Sequence, residues 1–72
     1  MTTSQKLRLE KQLSNYANDN VKVDDSSSTG VVYAFLSELN MFRIAEKMRG
    51  MTNFKYGFSS NLNSHYVSIE LN

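Results

Sequence analysis

His65 is the only imidazole in the chain, and there is no cysteine. Nucleophilic catalysis would have to join His65 to a serine such as Ser64 and to a carboxylate in a preorganised pocket. His65 instead ends a polar stretch, Ser59-Ser60-Asn61-Leu62-Asn63-Ser64-His65, in which a solvated ring is the simpler expectation. The lack of cysteine removes thiolate metal ligands, disulfides and thiol nucleophiles. One histidine cannot form a His-rich metal cluster. Asp19, Asp24 and Asp25 are not spaced as in an EF-hand, because no bidentate Glu closes a loop of the required length. Gly30, Gly50 and Gly57 are isolated, so no glycine-rich phosphate loop is present. These residues imply a chain that is not an enzyme and holds no cofactor and no metal.

Binding is the chemistry that remains, and two groups of side chains could carry it. Met41, Ile44 and Met48, followed by Met51, form an apolar stripe suited to an adaptable protein interface. Tyr66 adds an aromatic on the outward side of a strand, where tyrosine offers large contact area at low entropic cost. The second group is basic. Arg43 and Lys47 stand four apart and share a helix face, and Arg49 and Lys55 follow, so the four could meet phosphates. Glu46 dilutes that charge, and cations near a helix C-terminus are also favourable on dipole grounds alone. Lys6, Arg8 and Lys11 form a smaller cluster diluted by Glu10.

The clearest elements lie at the C-terminal end. Phe54, Tyr56 and Phe58 alternate with Lys55 and Gly57, and Val67, Ile69 and Leu71 alternate with Ser68 and Glu70. Two such period-2 runs predict a β-hairpin with an apolar face made by both. Its outward face then carries Lys55, Gly57, Tyr66, Ser68 and Glu70. The run Lys55-Tyr56-Gly57-Phe58 partly resembles the RNP1 motif of RNA-recognition modules, which would imply a sheet whose rings stack on bases. It departs from that motif in lacking the glycine directly after the basic residue. No RNP2-like strand precedes the first helix, so core is the expected role of the stripe.

The N-terminal half must supply what covers that face. Leu9, Leu13, Tyr16 and Ala17 fall on one helical face, which predicts an amphipathic helix from about Ser4 to Ala17, capped by Thr3 or Ser4 and ended by Asn18-Asp19-Asn20. Lys6 and Glu10 are placed to pair on it. Val21-Lys22-Val23 has the pattern of a short strand. Val31 to Arg49 admits two readings. As one long helix it buries Val31, Val32, Phe35, Leu39, Phe42 and Ala45 and leaves Met41, Ile44 and Met48 outside the core. As a strand over Val31 to Leu36 and a shorter helix from Ser37, it presents Met41, Ile44, Ala45 and Met48 together. The good helix formers from Ala34 to Leu39 favour the long helix.

Composition sets the outer bounds. The chain has 72 residues, 40% hydrophobic and 21% charged, which is one domain over 1–72. Eight basic against seven acidic residues give a net charge of +1, too little to draw the molecule onto nucleic acid or an anionic membrane by global charge. No apolar run is long enough to span a bilayer and the N-terminus has no signal-peptide core, so a cytoplasmic location is expected. A domain this small often needs a staple, and with disulfides and metals excluded a homodimer is the one left. Abundant Ser and Asn with no Cys, Pro or Trp is a composition common in small genes of bacteriophages and mobile elements. The expectation is an α+β domain, an N-terminal amphipathic helix and a longer central helix packed on a small antiparallel sheet with a C-terminal hairpin. Its expected role is that of a small protein-binding regulator or inhibitor that occludes a site on a partner protein through Met41, Ile44, Met48 and Tyr66. The alternative is a nucleic-acid-binding module using Arg43, Lys47, Arg49 and Lys55.

Overall fold

A computed structural model describes residues 1–27 and 29–71. In chain order the elements are α1 (Thr3–Ala17), β1 (Val31–Leu36), α2 (Glu38–Lys47), β2 (Phe54–Ser59) and β3 (Ser64–Glu70). The class is α+β, with the C-terminal hairpin formed by β2 and β3.

The capping of α1 falls one residue earlier than the expected Thr3. Thr2 accepts the Gln5 N–H on its hydroxyl at 3.1 Å while the Gln5 side chain accepts the Thr2 N–H at 2.9 Å, a reciprocal capping box. Asn18, with φ 54, takes the left-handed conformation that closes the helix. The apolar face is the one read from spacing: Leu13 and Ala17 are buried, and Leu9 and Tyr16 pack against the core. The Lys6–Glu10 pair does not form. Lys6 reaches Asp25 at 3.6 Å, and Glu10 instead accepts the Val23 N–H at 2.8 Å.

That exchange has a cause in the segment that follows. Val21 and Val23 are buried but belong to no strand; an isolated antiparallel bridge between Asp24 and Tyr33 ties the segment to β1. Amides buried outside a ladder need other acceptors. The Ser14 hydroxyl accepts the Val21 N–H at 2.9 Å and Glu10 accepts that of Val23.

The long central helix is corrected by the structure. Val31 to Leu36 is a strand, and α2 begins after Ser37, whose hydroxyl accepts the Asn40 N–H at 3.2 Å. The central helix is therefore shorter than α1. It ends at a cap on Met48, with Gly50 at φ 88 in the region that favours glycine. The change inverts burial. Met41, Ile44 and Met48 are 3%, 0% and 5% exposed, whereas Phe35, Leu39 and Phe42, which a long helix would bury, are 41%, 59% and 51% exposed. The β-branched and aromatic run of β1 gains a full ladder beside β3, and this tertiary pairing outweighs local helix propensity. Met41, Ile44 and Met48 are core and offer no docking stripe.

All strands pair antiparallel in the order β1-β3-β2. The register aligns Val32, Ile69 and Phe54 across the sheet, then Ala34, Val67 and Tyr56, then Leu36, His65 and Phe58. These three rows lie on the face that α2 covers, and α1 packs on α2. Leu13, Ala17, Val21, Val23, Met41, Ile44 and Met48 join Val32, Ala34, Val67 and Ile69 in one core. Among the described residues no helix is long and apolar enough to cross a membrane.

Asp19 fastens the end of α1 to α2 through a 2.8 Å hydrogen bond from the Asn40 amide. This bond first, then the Asn20 N–H, and last the charge of Arg43 hold its carboxyl below the ordinary 3.8, against a smaller opposing effect of desolvation. A carboxylate lowered in the folded state contributes stability that is complete above its unfolded value and lost as pH falls through the folded one. Urea midpoints should therefore decline below about pH 4, and Asp19→Asn should flatten that decline. An unchanged slope would remove Asp19 from the acid response. In neutral urea titrations Ile44→Ala should cost about 2–5 kcal/mol. Met48→Asp should leave little folded protein, because it buries an unpaired charge; a stable Met48→Asp would restore the long-helix reading.

Candidate functional site

The opposite face of the sheet has no helix on it. Tyr33, Ser68 and Lys55 form one row there, and Phe35, Tyr66 and Gly57 the next; Val31 and Glu70 sit beside the first. Period-2 alternation puts these side chains opposite the core rows. The rings form a continuous cluster. Tyr33 and Phe35, two apart on β1, have centroids 6.1 Å apart and planes within 6°, and Tyr33 and Tyr66 are 6.1 Å apart and tilted by 58°. Separations of this size are those of interacting aromatic pairs.

Gly57 explains how Tyr66 lies. A Cβ at this position would stand 3.2 Å from the Tyr66 hydroxyl and 3.4 Å from its ring carbons, so the tyrosine reclines across the bare backbone of the neighbouring strand. Beside the rings is a hollow of about 460 Å³, bounded by Tyr33, Phe35 and Tyr66 and by Ser60, Asn61 and Leu62 of the hairpin turn. Asn63, at φ 50, closes that turn. The strands place Lys55 and Glu70 on this face, and the bridge to Tyr33 places Asp24 beside them in the first row.

Of the residues read from the sequence as protein-binding, Tyr66 is on this face, while Met41, Ile44 and Met48 are on the far side of the sheet, inside the core. The basic four are not brought together. Arg43 donates to the Ala17 carbonyl at 3.1 Å and so caps the C-terminal end of α1. Lys47 ends α2, Arg49 lies 3.8 Å from Glu46, and Lys55 projects from the opposite face of the sheet. The acidic three are also separate: Asp19 bonds Asn40, Asp25 pairs with Lys6, and Asp24 accepts from the Ser26 hydroxyl and N–H, which hold its carboxyl below the ordinary value.

His65 faces α2 rather than open solvent. Its Nε2 is 3.4 Å from a Glu38 carboxylate oxygen and its ring meets Phe58 edge-on at 4.9 Å. The Ser64 hydroxyl donates to the His65 carbonyl at 3.1 Å and not to the imidazole. No group of three metal-binding side chains converges among the described residues.

Sequence reasoning missed Tyr33 and Phe35. The signal was present as size alternation: Val32 and Ala34 are small, and Tyr33 and Phe35 between them are large. It becomes readable only once β1 is known to be a strand. No family model matches the chain, and no curated protein and no solved structure is similar to it.

Gly57→Ala should test how Tyr66 is seated. The tight contacts are to the outer end of a flexible side chain, so stability should hold within about 1 kcal/mol of the parent. The Tyr66 ring resonances should shift and those of Phe54 should not. A loss well above that range would mean the tyrosine is locked rather than reclining.

Proposed function

We propose that this protein acts by binding another protein through the open face of its sheet, and that it regulates or inhibits that partner by covering a site on it. The observation that carries the reading is the cluster of Tyr33, Phe35 and Tyr66 on a sheet face with no helix over it, beside a hollow at the hairpin turn. Aromatic side chains dominate the energetics of protein interfaces, and tyrosine is the preferred adaptable contact of binding surfaces. Size favours occlusion. A standard interface takes about 800 Å² from each partner, a large share of a molecule that exposes 4969 Å². The face carries Glu70 and Asp24 against Lys55, which favours a protein over a polyanion. A nucleic-acid platform would need several cations beside the rings, and Lys55 is countered there by Glu70.

Affinity capture from a lysate should compare the parent with Phe35→Glu and Tyr66→Glu, each confirmed folded by circular dichroism. Leu7→Glu on the exposed side of α1 serves as the control. Both sheet variants should lose the captured protein, with each loss worth at least about 2 kcal/mol, roughly 30-fold, and the control should keep it. Retention by both sheet variants would reject this face. Fluorescence anisotropy with single-stranded DNA, duplex DNA and RNA should show no binding at low salt; affinity that falls linearly on a log–log salt plot would replace this function with a nucleic-acid one.

A further inference from the structure

The two edges of the sheet are not alike. The outer edge of β1 is covered in part by the Val21–Asp24 segment, since Tyr33 and Asp24 exchange N–H···O bonds of 2.7 and 3.0 Å. β2 is the other edge, and among the described residues no strand lies beyond it. The Glu70 N–H donates to the Asn53 carbonyl at 2.9 Å, which fixes the alternation of the ladder. Opposite residues in an antiparallel pair alternate between exchanging hydrogen bonds and pointing their backbone groups away. Lys55, Gly57 and Ser59 therefore bond β3, and Phe54, Tyr56 and Phe58 direct their N–H and C=O groups outward.

Natural sheets guard such an edge with proline, charge or a bulge. The β2 sequence Phe54-Lys55-Tyr56-Gly57-Phe58-Ser59 has neither proline nor bulge. Its one charge, Lys55, projects from the open face rather than into the plane of the edge. The edge is also apolar. Tyr56 and Phe58 belong to the core face by register, yet they remain 50% and 52% exposed although α2 reaches β2. Phe42, 51% exposed, meets Tyr56 edge-on at 6.2 Å, and Met51 shares a hollow with Phe42, Phe54 and Tyr56.

We infer that β2 is the dimerisation edge of this protein and that its occupant is β2 of a second copy, paired antiparallel about a two-fold axis at Tyr56. The alternation permits this register. Tyr56 falls opposite Tyr56 of the second copy, and Phe54 opposite its Phe58, so each outward-pointing residue exchanges hydrogen bonds with another outward-pointing residue. The aromatic side chains then line up on one face as a stripe continuous through both copies, bordered by Phe42 from each. On the other face Lys55 falls directly opposite Gly57 of the second copy, and the two Lys55 residues are diagonal neighbours across the axis. A ring buries about 150–250 Å² when covered, so half-exposed Phe42, Tyr56 and Phe58 supply roughly 300 Å² of the ~800 Å² a standard interface takes from each copy, and Met51 and the edge backbone add to it. The product is one sheet, β1-β3-β2-β2-β3-β1, with its open face doubled.

Sedimentation equilibrium of the full chain over a wide concentration range tests this, together with amide hydrogen exchange at the two extremes. The parent should approach twice 8.2 kDa at high micromolar concentration. Tyr56→Lys and Phe58→Lys, checked by circular dichroism, should weaken self-association at least tenfold. Exchange at Phe54, Tyr56 and Phe58 should slow as concentration rises, with Lys55 and Gly57 unchanged, and this readout decides the matter even if a variant fails to fold. A parent that stays monomeric, a folded lysine variant that still dimerises, or exchange at the three outward amides that ignores concentration overturns the inference. Because Phe35 lies on β1, across the sheet from this edge, loss of partner capture in its variant stands or falls separately.

Discussion

Seating α2 on the central strand β3 is the interaction from which the rest of this structure follows. Ile44 on the helix and Val67 on the strand are among the most deeply buried side chains, with Leu13 of α1 completing the set. A domain of this length buries only about 60% of the surface its unfolded chain exposes, and here no disulfide shares the task. Stability rests on one apolar layer between two short helices and three strands. β3 contributes most to it, because it pairs on both sides and carries the consecutive buried residues Val67, Ser68 and Ile69.

That arrangement dictates what is left for function. With both helices on one side, the other side of the sheet must face solvent or a partner. The chain places Tyr33, Phe35 and Tyr66 there rather than the short polar side chains that an antiparallel sheet usually turns to water. α2 also covers the sheet incompletely. It packs on β3 and reaches β2, yet leaves Tyr56 and Phe58 half-open at the β2 margin. Aromatic surface thus accumulates in two places, the open face and the free edge, and the two differ in geometry: one offers side chains alone, the other offers side chains and backbone together.

The ends of the chain were legible from sequence and the middle was not. The face of α1 and the alternation of β2 and β3 are strong periodic signals, and the structure reproduces both, including the outward positions of Lys55, Tyr66 and Glu70. Val31 to Leu36 is a short apolar run, and periodicity does not separate a buried strand from a helix at that length. What decides it is non-local, since β1 needs β3, with partners 29 to 39 residues later, to become a strand. One wrong choice there inverted the surface, placing Met41, Ile44 and Met48 outside and Phe35 inside. Tyr66 survived because it was read from the hairpin. Tyr56 and Phe58 were placed on the correct face, but alternation cannot tell how far a helix reaches across a sheet.

The central claim is that the rings of β1 and β3 border solvent on the open face, Phe35 exposed and Tyr33 and Tyr66 half-buried, and that the methionines of α2 are core. Solvent paramagnetic relaxation in NMR, with a soluble probe that broadens whatever it can approach, tests this most directly. The account expects strong broadening of the Tyr33, Phe35 and Tyr66 ring signals and sharp, protected methyl signals from Met41 and Met48. Broadened Met41 and Met48 methyls with protected rings would contradict it, and would return the central segment to a single long helix.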